Sequence, residues 1–164
     1  MNRIKLFVPL GTQKFPFDRL VLALNNLVEK GLFQPNEIVM QSAVYNVKPV
    51  FTHYTLIPFD QFNKLVDEAE LIITHGGVNS IITCMKQEKP LIIVPRLKQY
   101  GEHVDDHQRE IAEIMRLKYN VVVAEDLSHI EDYIEQVQTL RYKPWVSHNE
   151  ELIDYIRRII RGVY

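Results

Sequence analysis

Six short apolar runs alternate along the chain with longer stretches of helical periodicity. Residues 4–9, 37–41, 54–57, 71–74, 91–94 and 121–123 predict strands, the third being the weakest. Most are unbroken runs of Val, Ile and Leu rather than alternations of apolar and polar residues, which marks strands covered on both faces. Between and after them, residues 16–30, 60–68, 78–87, 105–118, 128–140 and 150–161 predict helices. In the first of these, Leu20, Val21, Leu24, Leu27 and Val28 share one face. Pro16 suits its first turn and Gly31 its end. In the last, Leu152, Ile153, Ile156, Ile159, Ile160 and Val163 make an apolar face, with Arg157, Arg158 and Arg161 largely opposite. That face can pack on its own domain, cover a partner chain or lie on an anionic membrane. Strands alternating with helices give a parallel sheet with helices on both sides. The expected fold class is therefore α/β, a Rossmann-like sheet, formed as one domain over residues 1–164.

In such sheets ligands bind outside the carboxyl ends of the strands, so the loops that follow strands carry the candidate chemistry. His75-Gly76-Gly77-Val78-Asn79-Ser80 runs from a strand into a helix. Its glycines permit unusual backbone angles and close ligand approach, and a helix start offers free N–H groups to phosphate. The plainer reading is a tight turn capped by Asn79 or Ser80. Gly11-Thr12-Gln13-Lys14 opens the first helix without a full dinucleotide or P-loop pattern. The segment from Pro95 to Gln108 is dense in polar groups. His103 and His107 stand four apart with Asp105 and Asp106 between them. On a helix the two imidazoles share a face, as metal ligands can. Alternatively Asp105 or Asp106 caps the helix, or these side chains bond sugar hydroxyls. No G-x-S-x-G element is present for a hydrolase.

Composition narrows the class. The chain has 164 residues, a formal charge of −2 and one cysteine, Cys84. The charge gives no support to nucleic-acid binding. A lone cysteine excludes an internal disulfide and reads as a buried small hydrophobe in a reducing compartment. No apolar run approaches the length of a membrane span, and Met1 to Lys5 do not open a signal peptide. The expected location is the cytoplasm.

Thr74-His75-Gly76-Gly77 with Asn79-Ser80, Lys89-Pro90, Val94-Pro95-Arg96 and Gly101-Glu102-His103-Val104-Asp105-Asp106-His107-Gln108 resemble the C-terminal-domain branch of glycosyltransferase family 28. Val8-Pro9-Leu10-Gly11-Thr12 and Pro16-Phe17-Asp18-Arg19-Leu20 share the likeness. It extends over nearly the whole chain. Among its members the chain is similar to small catalytic subunits of two-chain enzymes, including the dolichol-pathway N-acetylglucosaminyltransferase and capsule or exopolysaccharide β-1,4-galactosyltransferases.

The resemblance implies half of a GT-B enzyme that moves a hexosyl group from a UDP-sugar to a lipid-linked saccharide. UDP-galactose is favoured on the capsule-type likeness, with UDP-N-acetylglucosamine and UDP-glucuronic acid as alternatives. A membrane-associated partner subunit then supplies the other half and recruits the chain to the cytoplasmic face, and the isolated chain can form a homodimer. No cofactor and no bound metal are implied. By position, Gly11 and Thr12 fall in the first phosphate-side loop, and His75, Gly76, Gly77, Asn79 and Ser80 where the diphosphate meets a helix start. Arg96 falls beside the uracil–ribose pocket, and Asp106, His107 and Gln108 in the segment that reads sugar hydroxyls. His75 and His103 are the catalytic candidates. Thr83 stands where UDP-N-acetylglucosamine relatives commonly have a ribose-binding Glu, a departure that weakens transfer of that donor. The rival readings are a non-catalytic nucleotide-binding or regulatory subunit and a metal-dependent hydrolase using His103 and His107.

Overall fold

The computed structural model describes residues 3–146 and 150–162. Val163, expected on the last helical face, lies outside them. The chain folds as β1 (Leu6–Pro9), α1 (Asp18–Glu29), β2 (Ile38–Gln41), β3 (Thr52–Tyr54), α2 (Phe59–Glu68), β4 (Leu71–Thr74), α3 (Val78–Lys86), β5 (Leu91–Ile93), α4 (His107–Tyr119), β6 (Val122–Val123), α5 (Ile130–Thr139) and α6 (Glu150–Arg161). All strand pairs are parallel, in the order β3-β2-β1-β4-β5-β6. This is the Rossmann order, and it reverses direction between β1 and β4.

The unbroken apolar runs follow from cover on both faces. Leu6 and Val8 of β1 face a cluster with Leu20, Leu24 and Leu27 of α1 and Ile130 and Val137 of α5. Phe7, between them, faces the opposite cluster, with Val66 of α2, Ile81 and Met85 of α3, Ile111 and Met115 of α4, and Ile156 of α6. Successive side chains of one strand thus enter different cores. Cys84 is buried in the second core, where desolvation pushes its thiol up to about 12. It is a packing residue there.

Three expectations shift. The third strand is residues 52–54 rather than 54–57, because it pairs at the sheet edge with Val39, Met40 and Gln41. Ile57 is instead buried in the second core beyond it. The first helix starts at Asp18, two residues past Pro16. The fourth starts at His107, not Asp105, so His103 and His107 do not share a helical face. In α6, Leu152, Ile156 and Ile159 are buried, so this apolar face packs on its own domain, while Ile160 stays half exposed. Among the described residues no helix is long and apolar enough to cross a membrane.

Candidate functional site

The reversal of strand order parts the loops after β1 and β4, and a cleft of about 580 Å³ opens there. Thr74 ties the two strand ends together: its hydroxyl donates to the Pro9 carbonyl at 3.0 Å. Gly11, Thr12 and Gln13 line one wall, His75 to Ser80 and Thr83 another, and His103, Asp105, His107 and Gln108 a third. Leu56, Phe59 and Ile160 form part of an apolar rim. The three loops singled out in the sequence therefore converge. A larger groove of about 790 Å³ lies beside α1 and residues 125–128; the third loop borders it through Leu97, Gln99 and Tyr100, but the loops at Gly11 and Gly76-Gly77 do not.

At the centre of the cleft, Gln108 ties the loop after β4 to the loop after β5. Its Oε1 accepts from the backbone N–H groups of Gly76, at 3.0 Å, and Arg96, at 3.1 Å. With the oxygen so committed, its Nε2 donates to Nδ1 of His75 at 3.1 Å. The amide orientation and the tautomer are assigned by this network. His75 consequently carries its proton on Nε2 and can donate there. Burial, the nearby Arg96 charge and His103 pull its pKa down to about 3. The ring is neutral at physiological pH.

The glycines are explained by these side chains. A Cβ on Gly77 would lie 2.2 Å from Cε1 of His75, and one on Gly76 would lie 2.6 Å from Cβ of Gln108. Gly77 itself has an ordinary backbone, φ −75° and ψ 123°. Space, not unusual angles, requires glycine at these two positions. At Gly11 both reasons hold: φ is +75°, and a Cβ would approach Nε2 of His75 to 3.0 Å. Gly77 is the residue before α3, and no side chain caps that helix start, neither Asn79 nor Ser80. First-turn N–H groups of a helix have no partner within it. Here they open where Gly77, Asn79 and Ser80 line the cleft. The Thr83 hydroxyl donates back to the Asn79 carbonyl at 2.8 Å.

The third loop is built on buried charge. Glu102 is 2% exposed, and its carboxylate accepts from Arg19 at 3.0 and 3.1 Å and from the Leu97 N–H at 3.0 Å. Arg19 also donates to the Pro95 and Glu125 carbonyls and stacks over Tyr100. Arg96 is placed differently from the sequence expectation. It is 1% exposed and donates to the Leu10 and Phe15 carbonyls, each at 2.9 Å, with its guanidinium over Phe17. It does not line the cleft. Burial, opposed by Glu102, lowers its pKa to about 10. Arg96 is a strut between the first and third loops.

Asp106 is also outside the cleft lining; it is exposed, and its Oδ1 accepts from the Lys98 N–H at 2.9 Å. Gln108 lines the cleft but spends its oxygen on the backbone, so it supports this wall from behind. The helix-start bond belongs to Asp105, whose Oδ1 accepts from the His107 N–H at 3.1 Å. The same Asp105 lies 3.1 Å from Nδ1 of His103 and 3.2 Å from Nδ1 of His107. Sequence reasoning named Asp105 as a possible cap or sugar-bonding side chain, not as a partner of the two imidazoles, and missed Arg19 and Glu102 as supports. The one signal available was their place in the same motifs as the chosen residues.

Residues 6–151 match the glycosyltransferase family 28 C-terminal domain. In sequence the chain is similar to the UDP-N-acetylglucosamine transferase subunit ALG13 of Candida albicans, 36% identical over 72 residues. That match covers 44% of this chain and 23% of the relative. The protein of the same name from Cryptococcus neoformans var. neoformans is 30% identical over 106 residues, covering 63% of this chain and 48% of its own length. The chain thus spans less than half the length of these relatives. In fold it is similar to the solution structure of ALG13, with TM-score 0.58 and 20% identity, covering 94% of this chain and 96% of that one. It is likewise similar to CalG4, the calicheamicin glycosyltransferase, with TM-score 0.56 and 16% identity, covering 99% and 39%.

Proposed function

Because the chain belongs to the glycosyltransferase family 28 C-terminal-domain proteins, we propose that it is the donor-binding subunit of a two-chain UDP-sugar glycosyltransferase. The observation that carries this reading is the neutral His75, held as an Nε2 donor between Gly11 and Gly77 at an uncapped helix start. Such a constellation suits a diphosphate: backbone N–H groups, a helix dipole and an imidazole N–H all offer positive charge at one point.

The reaction is attack by an acceptor hydroxyl on the anomeric carbon of the donor sugar, with UDP leaving. Negative charge grows on the β-phosphate as the bond breaks. His75 and the N–H groups after Gly77 and Gly11 take up that charge with no metal assigned. Thr12, Asn79, Ser80 and Thr83 line the nucleotide end. His107 reads sugar hydroxyls, and His103 is this chain's candidate for the general base.

The donor placed first is UDP-N-acetylglucosamine, the sugar nucleotide in the relatives' names. UDP-galactose and capsule synthesis, which the sequence resemblance favoured, have no counterpart in those names. The relatives are named as subunits, which supports a partner chain; that this partner carries the other half of the cleft, is membrane-associated and holds a lipid-linked acceptor on the cytoplasmic side rests on the family resemblance alone.

Thermal unfolding with UDP, ADP, UDP-N-acetylglucosamine and UDP-galactose, each with and without EDTA, tests the reading. Ligand at about 100 times its dissociation constant adds about 2.7 kcal/mol, a shift of several degrees. The expected result is a shift with UDP but not ADP, unchanged by EDTA and larger with UDP-N-acetylglucosamine than with UDP-galactose. An ADP shift equal to that of UDP would overturn the uridine assignment, and loss of the shift in EDTA would overturn the metal-free one.

A further inference from the structure

The carboxylate of Asp105 sits between two imidazoles that both line the cleft. Its Oδ1 meets Nδ1 of His103 at 3.1 Å and also accepts the backbone N–H of His107 at 3.1 Å. Its Oδ2 lies 3.2 Å from Nδ1 of His107. A carboxylate oxygen can accept but has no proton to give. An Nδ1 turned toward this anion is therefore favoured with its proton, leaving a lone pair on Nε2; for His103 the contact is a hydrogen bond, for His107 it is the ion-pair approach alone. Phe15 packs against the His103 ring, centroid to centroid 5.6 Å, and limits its rotation. Among the described residues no hydrogen-bond partner is recorded for either Nε2.

His75 is the opposite case. Gln108 is forced by two backbone N–H groups to present its amide nitrogen, so His75 accepts at Nδ1 and donates at Nε2. The neighbours of the three imidazoles thus differ in polarity: an amide donor faces His75, a carboxylate faces His103 and His107.

We propose that Asp105 is a positioning residue that locks His103 and His107 as Nδ1–H tautomers, so that both present acceptor nitrogens to the hydroxyl-bearing part of the ligand while His75 presents a donor to its phosphate. Sugar hydroxyls donate and phosphate oxygens accept, so the polarity of the cleft is matched to a sugar diphosphate along its length. In the transfer step the acceptor hydroxyl gives its proton to Nε2 of His103 as its oxygen bonds to the anomeric carbon. The bond from that carbon to the β-phosphate oxygen breaks, and its electron pair leaves on UDP. The imidazolium formed on His103 is held by the Asp105 carboxylate.

The ligand in this proposal rests on the donor-binding reading above; the tautomers do not. Long-range ¹H–¹⁵N spectra of the full chain labelled at histidine nitrogens read them directly. The wild type is expected to show protonated Nδ1 and bare Nε2 on His103 and His107, and the reverse on His75. Asp105→Asn keeps the oxygen that accepts the His107 N–H but places an amide donor beside one ring. It is expected to flip at least one of the two tautomers, and Asp105→Glu is expected to keep both. Calorimetric titration of the same proteins then compares UDP with UDP-N-acetylglucosamine. Asp105→Asn should weaken the sugar nucleotide on the order of tenfold, the worth of one or two hydrogen bonds, with UDP itself within about twofold. A wild-type spectrum showing Nε2–H on both His103 and His107 would overturn the proposal. So would unchanged tautomers in Asp105→Asn, or equal losses for UDP and UDP-N-acetylglucosamine. A chain that binds no UDP while showing the expected tautomers would count against the donor-binding reading and leave the Asp105 lock standing on its spectra.

Discussion

At the residue scale, His75 joins the fold to the chemistry. Its ring occupies the space that side chains on Gly11 and Gly77 would need, and its proton is assigned by Gln108. Gly77→Ala puts a methyl 2.2 Å from the ring. The ring must then move, so the substitution is expected to cost about 1–3 kcal/mol of stability and at least about tenfold in UDP affinity. Denaturant unfolding and calorimetric titration of the variant measure the two. A stable Gly77→Ala protein with unchanged UDP affinity would refute the role given to the ring. The burial of His75 also has a pH signature. Its folded pKa of about 3 lies below the ordinary 6.5, so the unfolded chain takes up this proton first. The stabilisation is full above about pH 6.5 and falls as the pH drops toward 3. The steepest loss is about 1.4 kcal/mol per pH unit. Subtracting the stability curve of His75→Gln from that of the wild type should leave this slope between about pH 4 and 5.5. A flat difference there would mean that the ring is accessible and ordinary.

At the scale of elements, the loop after β5 is held by charge rather than by apolar packing. Arg19 of α1 and Glu102 form a nearly buried pair, and the same carboxylate accepts the Leu97 N–H. Glu102→Ala strands a guanidinium and a backbone N–H together. Breaking such a pair costs about 3 kcal/mol or more. It should also speed hydrogen exchange through residues 96–106, whereas exchange in β1 and β4 follows only the global loss. Exchange mass spectrometry separates the two effects, and uniform acceleration over the whole chain would deny the loop its local tie. Arg96 has the companion role, joining the loop after β1 to the loop after β5 through the Leu10 and Phe15 carbonyls. Much of the Gly-Glu-His-x-x-Asp-His-Gln element is therefore scaffold. Glu102 and Gln108 build the wall, the neighbouring Asp105 lies against both imidazoles, and His103 and His107 line the cleft.

At the scale of the molecule, the reversal of strand order between β1 and β4 places the site, and the exposed rim leaves room for a second body. Phe59 is 77% exposed and Leu56 68% exposed at the cleft mouth. If a partner chain completes the cleft, the chain alone should bind UDP yet release sugar only slowly to water. Transfer to a lipid-linked saccharide should require the partner-containing membrane fraction. A radiolabelled-donor assay with each component alone and with both together checks this, and full transfer by the isolated chain would remove the need for a partner.

The sequence by itself determined the α/β class, the helices and most strands, because burial on both faces writes itself as unbroken apolar runs. It also pointed to the three loops of the cleft, since topology places post-strand loops at one end of the sheet. It misplaced β3, because an edge strand with one covered neighbour carries little apolar signal, and the Leu56–Ile57 pair beyond it carries more. It assigned Arg96, Asp106 and Gln108 to a ligand, because polar residues beside a cleft and polar residues that build its wall look alike in one dimension. Only the tertiary structure told them apart, through contacts such as Gln108 with Gly76 and Arg19 with Glu102, which join residues 32 and 83 positions apart. The proton position on His75 was likewise decided there. A tautomer is set by the neighbour across the ring, and for His75 that neighbour arrives from another loop.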